Sequence, residues 1–156
     1  MIFATVGTQL PFPRLLAALD RIAGTRGLEV IAQTCTPDAA YPHLRATGHL
    51  DPPVFEANAR AADRIVGHAG IGTILTARRA EKPLILFPRR AALGEHRNEH
   101  QLATVKSLSG RSGIYVAFDE TELEALLVRP DLAPLRNEDS SARAALINRL
   151  RDFISA

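Results

Sequence analysis

Short apolar runs alternate along this chain with stretches in which apolar residues recur at helical spacing. Residues 2–6 form an apolar run closed by Gly7, and Leu15, Leu19 and Ile22 then recur at i, i+4 and i+7. The first pattern is typical of a buried strand and the second of a helix with one apolar face. Because the two patterns keep alternating, we expect right-handed βαβ units and a parallel sheet.

The same patterns predict the remaining elements. Strand patterns lie at residues 2–6, 28–34, 44–47, 64–67, 84–87 and 114–118. Helical patterns begin near Pro13 and lie at 53–62, 71–80, 96–108 and 119–127, with a loop at 130–139 and a last helix that carries Leu146, Leu150, Phe153 and Ile154. We therefore expect one Rossmann-like α/β domain over residues 1–156, with helices on both faces of the sheet.

The composition is that of an ordinary folded domain. The 156 residues are 46% hydrophobic and 23% charged, with a formal net charge of +2, which excludes disordered and low-complexity classes. No run reaches the ~18 apolar residues of a membrane span, and Cys35 has no second cysteine to pair with, so a reducing cytoplasm is the expected compartment. With two tyrosines and no tryptophan, the chain shows no aromatic pattern for nucleic-acid binding.

A glycine-rich turn stands between a predicted strand and a predicted helix. His68, Gly70, Gly72 and Thr73 directly follow the strand at residues 64–67. Glycines let a ligand approach the backbone closely, and the N–H groups and positive dipole end of the next helix suit a phosphate. A tight structural turn explains the same glycines, so the turn alone leaves both interpretations open.

Two further clusters are predicted at the carboxyl ends of strands. Arg89 and Arg90 follow the most apolar strand, and Gly7 and Thr8 follow the first one. Ligands of parallel α/β sheets bind at this edge, so we expect the arginines to meet the same ligand as the glycine turn. The Gly7 loop can contact a ligand or a partner domain. The structural alternatives are a solvated pair of loop charges for the arginines and a plain turn for the Gly7 loop.

The segment that enters the predicted helix at residues 96–108 is rich in polar side chains. Asn98 and Gln101 are three residues apart, and Glu95 lies one turn before Asn98, so we expect them on one helical face. Amides can donate and accept hydrogen bonds at once, which suits the hydroxyls of a sugar. A polar first turn with capping carboxylates is the structural alternative.

The same segment also fits a zinc motif. His96, Glu99 and His100 match the H-x-x-E-H pattern, in which two histidines share a zinc ion and the glutamate acts as a base. Such a site needs a third ligand, and only carboxylates follow residue 101. A zinc hydrolase is therefore a remote alternative, and no metal site is predicted.

The motifs resemble, in order and spacing, those of PssE-like proteins, the small subunits of two-part bacterial glycosyltransferases for exopolysaccharide and capsule assembly. The chain is also similar to the C-terminal half of MurG-type transferases (the glycosyltransferase family 28 C-terminal domain). It is likewise similar to the small catalytic subunit of the eukaryotic enzyme that adds the second N-acetylglucosamine to a dolichol-linked sugar. The resemblance covers roughly residues 1–118, and its motifs are Val6-Gly-Thr-Gln9, Gly67-His-Ala-Gly70, Pro88-Arg-Arg90, Gly94-Glu-His96, Asn98 and His100-Gln101.

The resemblance implies the donor-binding C-terminal half of a GT-B glycosyltransferase. It implies that His68, Gly70, Gly72 and Thr73 hold the diphosphate of a nucleotide sugar. MurG-type enzymes place an acidic residue on the following helix, where it binds the ribose hydroxyls. This chain has Thr76 at that position, which can make one such hydrogen bond but not a bidentate pair.

The resemblance also assigns the polar segment to the donor sugar. Asn98, His100 and Gln101 would face the sugar, while Glu95 and His96 would lie at the rim and are the candidates for the catalytic base. Gly7, Thr8, Arg89 and Arg90 complete the expected donor contacts. The family's implied chemistry is inversion by direct displacement, and a base supplied by a second lobe stays open as an alternative.

The predicted function is that of a UDP-sugar-dependent inverting glycosyltransferase subunit. It would transfer a hexose-type sugar to a lipid-linked saccharide in exopolysaccharide or capsule biosynthesis, without a cofactor. The 156 residues accommodate a donor lobe only, so we expect a membrane-anchored, acceptor-binding partner that holds the chain at the inner face of the plasma membrane. A non-catalytic enhancer of a partner transferase is the alternative. Self-association is left open, with apolar surface expected near Leu10, Phe12 and Leu93.

Overall fold

Within residues 1–37 and 40–136, which the computed structural model describes, six strands form one parallel sheet in the order β3-β2-β1-β4-β5-β6. The strands are β1 Ile2–Thr5, β2 Val30–Gln33, β3 Arg45–Thr47, β4 Arg64–Gly67, β5 Leu84–Leu86 and β6 Ile114–Val116. The helices are α1 Pro13–Arg26, α2 Pro52–Ala61, α3 Ile71–Ala80, α4 His100–Leu108 and α5 Glu120–Val128, with a short 3-10 helix at Ala91–Leu93. The expected Rossmann-like architecture is confirmed.

The winding of the sheet reverses at its centre. Strand β1 pairs with β2 on one side and with β4 on the other, so the chain builds outward in both directions from β1 and β4. The loops that follow these two strands lead to helices on opposite faces and leave a crevice between them. Val6 and Gly7 begin one of these loops, and His68 begins the other.

The sheet separates two apolar cores because alternate strand residues point to opposite faces. Ala4 belongs to the core that contains Leu19 of α1 and Leu123 of α5. Its neighbour Phe3 belongs to the core that contains Ile74 of α3 and residues of α2 and α4. Burying one such Leu or Phe side chain stabilises the fold by roughly 1.5–3 kcal/mol, so both layers of helices are held by the same short strands.

Helix α4 begins later than the sequence pattern predicts. The prediction was 96–108, whereas the helix begins at His100 and residues 95–99 form bends. Side chains of this segment accept hydrogen bonds from nearby backbone N–H groups. Glu99 Oε1 accepts from Ala92 N at 3.2 Å, and Asn98 Oδ1 accepts from His100 N at 3.3 Å. Such local bonds compete with helix formation. The prediction that Glu95, Asn98 and Gln101 share one helical face is therefore wrong.

Other local predictions have mixed outcomes. The short strand near residues 44–47 is confirmed as β3, and Asp119 caps α5 by accepting from Glu122 N at 2.9 Å. Leu10 and Leu93 are exposed as expected, but Phe12 is fully buried in the core. The predicted last helix lies outside the described residues. No helix in the described ranges is both long and apolar enough to cross a lipid bilayer.

Candidate functional site

A cleft of about 610 Å³ opens at the carboxyl ends of β1 and β4, where the winding of the sheet reverses. This volume is in the range of sites that enclose small molecules. No carboxylate is among the described residues that line it. The cleft brings together ten of the residues singled out from the sequence: Gly7, Thr8, His68, Gly70, Gly72, Thr73, Thr76, Arg89, His96 and Gln101.

The amino end of α3 forms one side of the cleft. Gly70 is the N-cap residue and provides no side-chain cap, and the first N–H groups of a helix have no partner within the helix. A Cβ built on Gly72 would meet no atom within 4 Å. The first turn therefore offers N–H groups and a positive dipole end to an open space, which is a suitable environment for an anion.

Gly70 and Gly7 make room for a protein side chain rather than for a ligand. A Cβ on Gly70 would lie 2.2 Å from His68 Nε2, and a Cβ on Gly7 would lie 3.0 Å from His68 Cε1. Gly7 also has φ +83°, which favours glycine. Thr73 Oγ1 lies 3.4 Å from Nδ1 of the same ring. The imidazole is thus enclosed by the two loops that frame the crevice.

The enclosure keeps His68 neutral. Burial of the ring lowers the pKa of His68 to about 4, and the positive charge of Arg89 acts in the same direction. A hydrogen bond involving the Thr5 backbone opposes the shift without cancelling it. At neutral pH the ring can therefore donate from one nitrogen and accept at the other.

We expect His68 to titrate near pH 4 in the folded protein. In the unfolded chain it should titrate near its usual 6.5, so between these values only the unfolded state binds the extra proton. Its contribution to the free energy of unfolding is therefore complete above pH 6.5 and falls as the pH drops toward 4. NMR titration of the ring carbons checks this. A folded-state pKa at or above 6 would contradict the enclosure.

Arg89 lies beneath the opposite wall of the cleft and is 2% exposed. Burial lowers the pKa of its guanidinium, whereas the Glu95 carboxylate acts in the opposite direction. The group donates hydrogen bonds to backbone carbonyls of the loop between β1 and α1. Its backbone N–H donates to Gln101 Oε1 at 2.9 Å. These contacts connect the end of β5 with the β1–α1 loop and with α4.

Glu95 is bound to Arg14 and does not line the cleft. Arg14 donates from Nε to Oε1 at 2.6 Å and from Nη2 to Oε2 at 2.9 Å, and Oε2 also accepts from Arg90 N at 2.9 Å. Burial alone would raise the pKa of Glu95, but the hydrogen bonds from Arg14 and Arg90 outweigh it and lower this pKa. The geometry favours a structural role for Glu95 over that of a proton acceptor.

Three more of the singled-out residues lie outside the cleft. Arg90 is partly exposed, and Asn98 and His100 are exposed and contact each other. His96 packs edge-on against His100, with ring centroids 4.4 Å apart. Among the described residues, no group of three or more His, Cys, Asp or Glu side chains could hold a metal ion.

The cleft also contains residues that the sequence interpretation missed. Leu50, Pro52 and Phe55 form an apolar end, and Gln33 is a buried amide beside them. Gln33 Oε1 accepts from Leu50 N at 3.0 Å, and Nε2 donates to Gly7 O at 3.4 Å. The sequence could have indicated Gln33 as a site residue, because it is a polar residue at the end of an apolar strand. The apolar residues carried no signal of their own.

The sheet order, the two helical layers and the cleft at the point of reversal define a Rossmann-like domain of the kind that forms the C-terminal half of GT-B glycosyltransferases. The glycosyltransferase family 28 C-terminal domain matches residues 54–155. The chain belongs to this family. No curated protein matches the chain.

Solved structures share the fold. The glycotransferase of kitacinnamycin is 18% identical at a TM-score of 0.59, with 81% of this chain and 33% of that chain covered. The glycosyltransferase SnogD from Streptomyces nogalater is 23% identical at a TM-score of 0.52, with 99% of this chain and 37% of SnogD covered. ALG13, solved in solution by NMR, is 18% identical at a TM-score of 0.60, with 86% of this chain and 88% of ALG13 covered. The chain thus spans about a third of the length of the first two proteins and most of the length of the third.

Proposed function

We propose that the chain is the donor-binding, catalytic subunit of a two-component glycosyltransferase that takes a hexose-type sugar from a UDP-sugar. The observation that carries the proposal is the lining of the cleft. An uncapped helix end and a neutral imidazole line the cleft, the positive charge of buried Arg89 lies beneath its wall, and no carboxylate is among the described lining residues. Such a lining favours an anionic ligand, and a nucleotide diphosphate is the anion that the family uses in its donor.

The diphosphate would lie at the amino end of α3, in the open space before Gly72. His68 would line the diphosphate site as a neutral ring. Thr76 Oγ1 donates to Gly72 O at 2.8 Å, which leaves its oxygen free to accept from a ribose hydroxyl. The apolar end of the cleft, with Phe55, suits a planar base. The choice of uracil rests on the resemblance of the motifs.

The reaction would be a direct displacement. The acceptor oxygen attacks the anomeric carbon, the bond from that carbon to the β-phosphate oxygen breaks, and UDP leaves with the bonding electrons. The helix dipole and N–H groups would stabilise the charge that develops on the phosphate. The acceptor proton needs a base, and His96 is the candidate that lines the cleft. Because Glu95 is held by Arg14, a base from the partner is the alternative. No metal takes part in this proposal.

The proposal includes a membrane-anchored partner that binds a lipid-linked saccharide acceptor, in exopolysaccharide or capsule assembly. The described residues correspond to one lobe of the longer glycosyltransferases, of which the chain covers 33% and 37%. An acceptor site would therefore come from another polypeptide segment. Through such a partner the chain would work at the cytoplasmic face of the plasma membrane.

UDP is expected to stabilise the purified protein against heat. At a concentration about 100 times its Kd, a ligand that binds only the folded state adds about 2.7 kcal/mol, which corresponds to roughly 5 °C or more for a domain of this size. A thermal-shift titration with UDP, with ADP and UMP as controls, measures this. No shift with millimolar UDP would contradict the proposal.

Co-expression with the proposed membrane-anchored partner then separates the enzyme from the enhancer. Sugar transfer from a panel of labelled UDP-sugars is measured with the wild-type chain, with His96→Ala and with Gly72→Leu. If His96 is the base, both variants should lose transfer; if the partner supplies the base, only Gly72→Leu should lose it. Unchanged transfer by both would favour the enhancer.

A further inference from the structure

Residues 7–10 form a wall of the cleft and have few hydrogen bonds of their own. All four line the cleft, and residues 8–10 are exposed. Apart from bonds made by Arg89, this wall segment is held in the described structure by long contacts at Gly7. Its N–H lies 3.3 Å from Thr5 Oγ1, and its carbonyl lies 3.4 Å from Gln33 Nε2. A loop with so few internal bonds needs outside support to keep one conformation.

Arg89 supplies this support from below. Its Nη1 donates to Pro11 O at 2.6 Å, and its Nη2 donates to Leu10 O at 2.6 Å and to Val6 O at 3.2 Å. The acceptors therefore stand on both sides of the loop. The guanidinium carbon also lies 4.4 Å from the ring centroid of Phe12, so Arg89 holds the loop at both of its ends.

A guanidinium engaged in this way is poorly placed to bind a ligand. Both of its terminal nitrogens already donate to carbonyl oxygens, and the residue is 2% exposed. A planar guanidinium can bridge several carbonyls at once, which the single ammonium of lysine does less well. Gln101 fixes the backbone of Arg89 by accepting its N–H at 2.9 Å. The residue is thus anchored at both its backbone and its side chain.

We propose that Arg89 is a positioning residue of the donor site: it holds residues 7–10 as a wall of the cleft and does not itself bind the donor. This inference rests on the proposed function, because the wall serves catalysis only if the cleft takes a nucleotide sugar. It assigns Arg89 a different role from the direct donor contact expected from the sequence.

The first test uses the wild-type protein, so it does not depend on the folding of a variant. The amide signals of residues 7–10 and the side-chain N–H signals of Arg89 are followed by NMR during a UDP titration. The wall amides should shift strongly, and the Arg89 side-chain signals should change little. Larger changes at the Arg89 guanidinium than at the wall would overturn the inference, because they indicate a direct ligand.

The second test compares Arg89→Lys with Arg64→Lys. Arg64 is a matched control because its Nη1 also donates to three backbone carbonyls, at 2.9, 3.0 and 2.8 Å, at the start of β4 and far from the cleft edge of the sheet. Arg89→Lys should raise the Kd for UDP by roughly tenfold or more and lower the heteronuclear NOE of residues 7–10. Arg64→Lys should lower thermal stability without changing either quantity.

The outcomes separate the two proposals. Weaker UDP binding by Arg89→Lys with an ordered wall segment would overturn the positioning role. Equal losses of affinity in both variants would also overturn it, since they indicate a general loss of stability. If the wild-type protein does not bind UDP at all, the proposed function fails. In that case the heteronuclear NOE of residues 7–10 without nucleotide tests whether Arg89 supports the wall. It should fall in Arg89→Lys and stay unchanged in Arg64→Lys.

Discussion

Replacing Gly72 with leucine is expected to weaken UDP binding by about 100-fold or more and to leave the fold intact. A Cβ at Gly72 meets no protein atom within 4 Å, so the new side chain has room in the ligand-free protein. It would occupy the space before the first turn of α3, where the proposal puts the diphosphate. Leucine also favours a helix over glycine by up to about 1 kcal/mol, so thermal stability should not fall.

Isothermal titration with UDP and thermal unfolding without nucleotide measure the two effects separately. Gly72→Ala is the graded control, because a single methyl group should reduce the affinity much less than leucine. If Gly72→Leu binds UDP with wild-type affinity, the diphosphate does not bind at the amino end of α3. A large loss of thermal stability would instead contradict the open space that the structure shows at this glycine.

Replacing Glu95 with glutamine is expected to destabilise the protein by about 2–3 kcal/mol. The side chain is 12% exposed and makes a bidentate ion pair with Arg14, whose side chain is 27% exposed. The neutral amide cannot accept at both positions and leaves Arg14 without its counter-charge. Urea denaturation at neutral pH measures the loss. The Glu95–Arg14 pair joins α1 to the β5–α4 loop, and both border the cleft. Losing the pair should therefore also loosen the structure around the cleft.

The matched control is Glu124→Gln. Glu124 also pairs with an arginine of α1, Arg26, but the side chains are 32% and 53% exposed. Solvent screening should limit its effect to less than about 1 kcal/mol. Equal losses in the two variants would contradict the bracing role of Glu95.

The pH dependence has a definite sign. The pKa of Glu95 is lowered in the folded protein, so the unfolded chain takes up a proton first as the pH falls. The contribution of Glu95 to stability is present above its usual pKa and is lost as the pH drops through the lowered value. Glu95→Gln should lack this component of acid destabilisation.

The strands were predictable because burial on both faces leaves a local pattern. Short apolar runs such as the one at β5 can be recognised from a few adjacent residues, and the helical spacing of Leu15 and Leu19 follows from one buried face. The start of α4 was not predictable in this way. It depends on side-chain bonds such as Glu99 to the N–H of Ala92, and these compete with the helix by only small energies.

The candidate site shows the same division. The glycine turn could be found because a strand, two glycines and a helix follow one another directly. Phe55 and Gln33 could not, since their place in the cleft depends on how separate segments meet in space. The partner of Glu95 is likewise invisible in the sequence, because Arg14 lies 81 residues away along the chain.

The sequence by itself determined the α/β class, the order of the elements and the edge of the sheet at which polar residues gather, because each depends on local periodicity and on the direction of parallel strands. Only the tertiary structure decided what equivalent-looking residues do. Gly70 is covered by the ring of His68 while Gly72 faces open space, and Arg89 is buried while Arg90 is not. These differences arise from contacts between distant segments, which a linear pattern does not record.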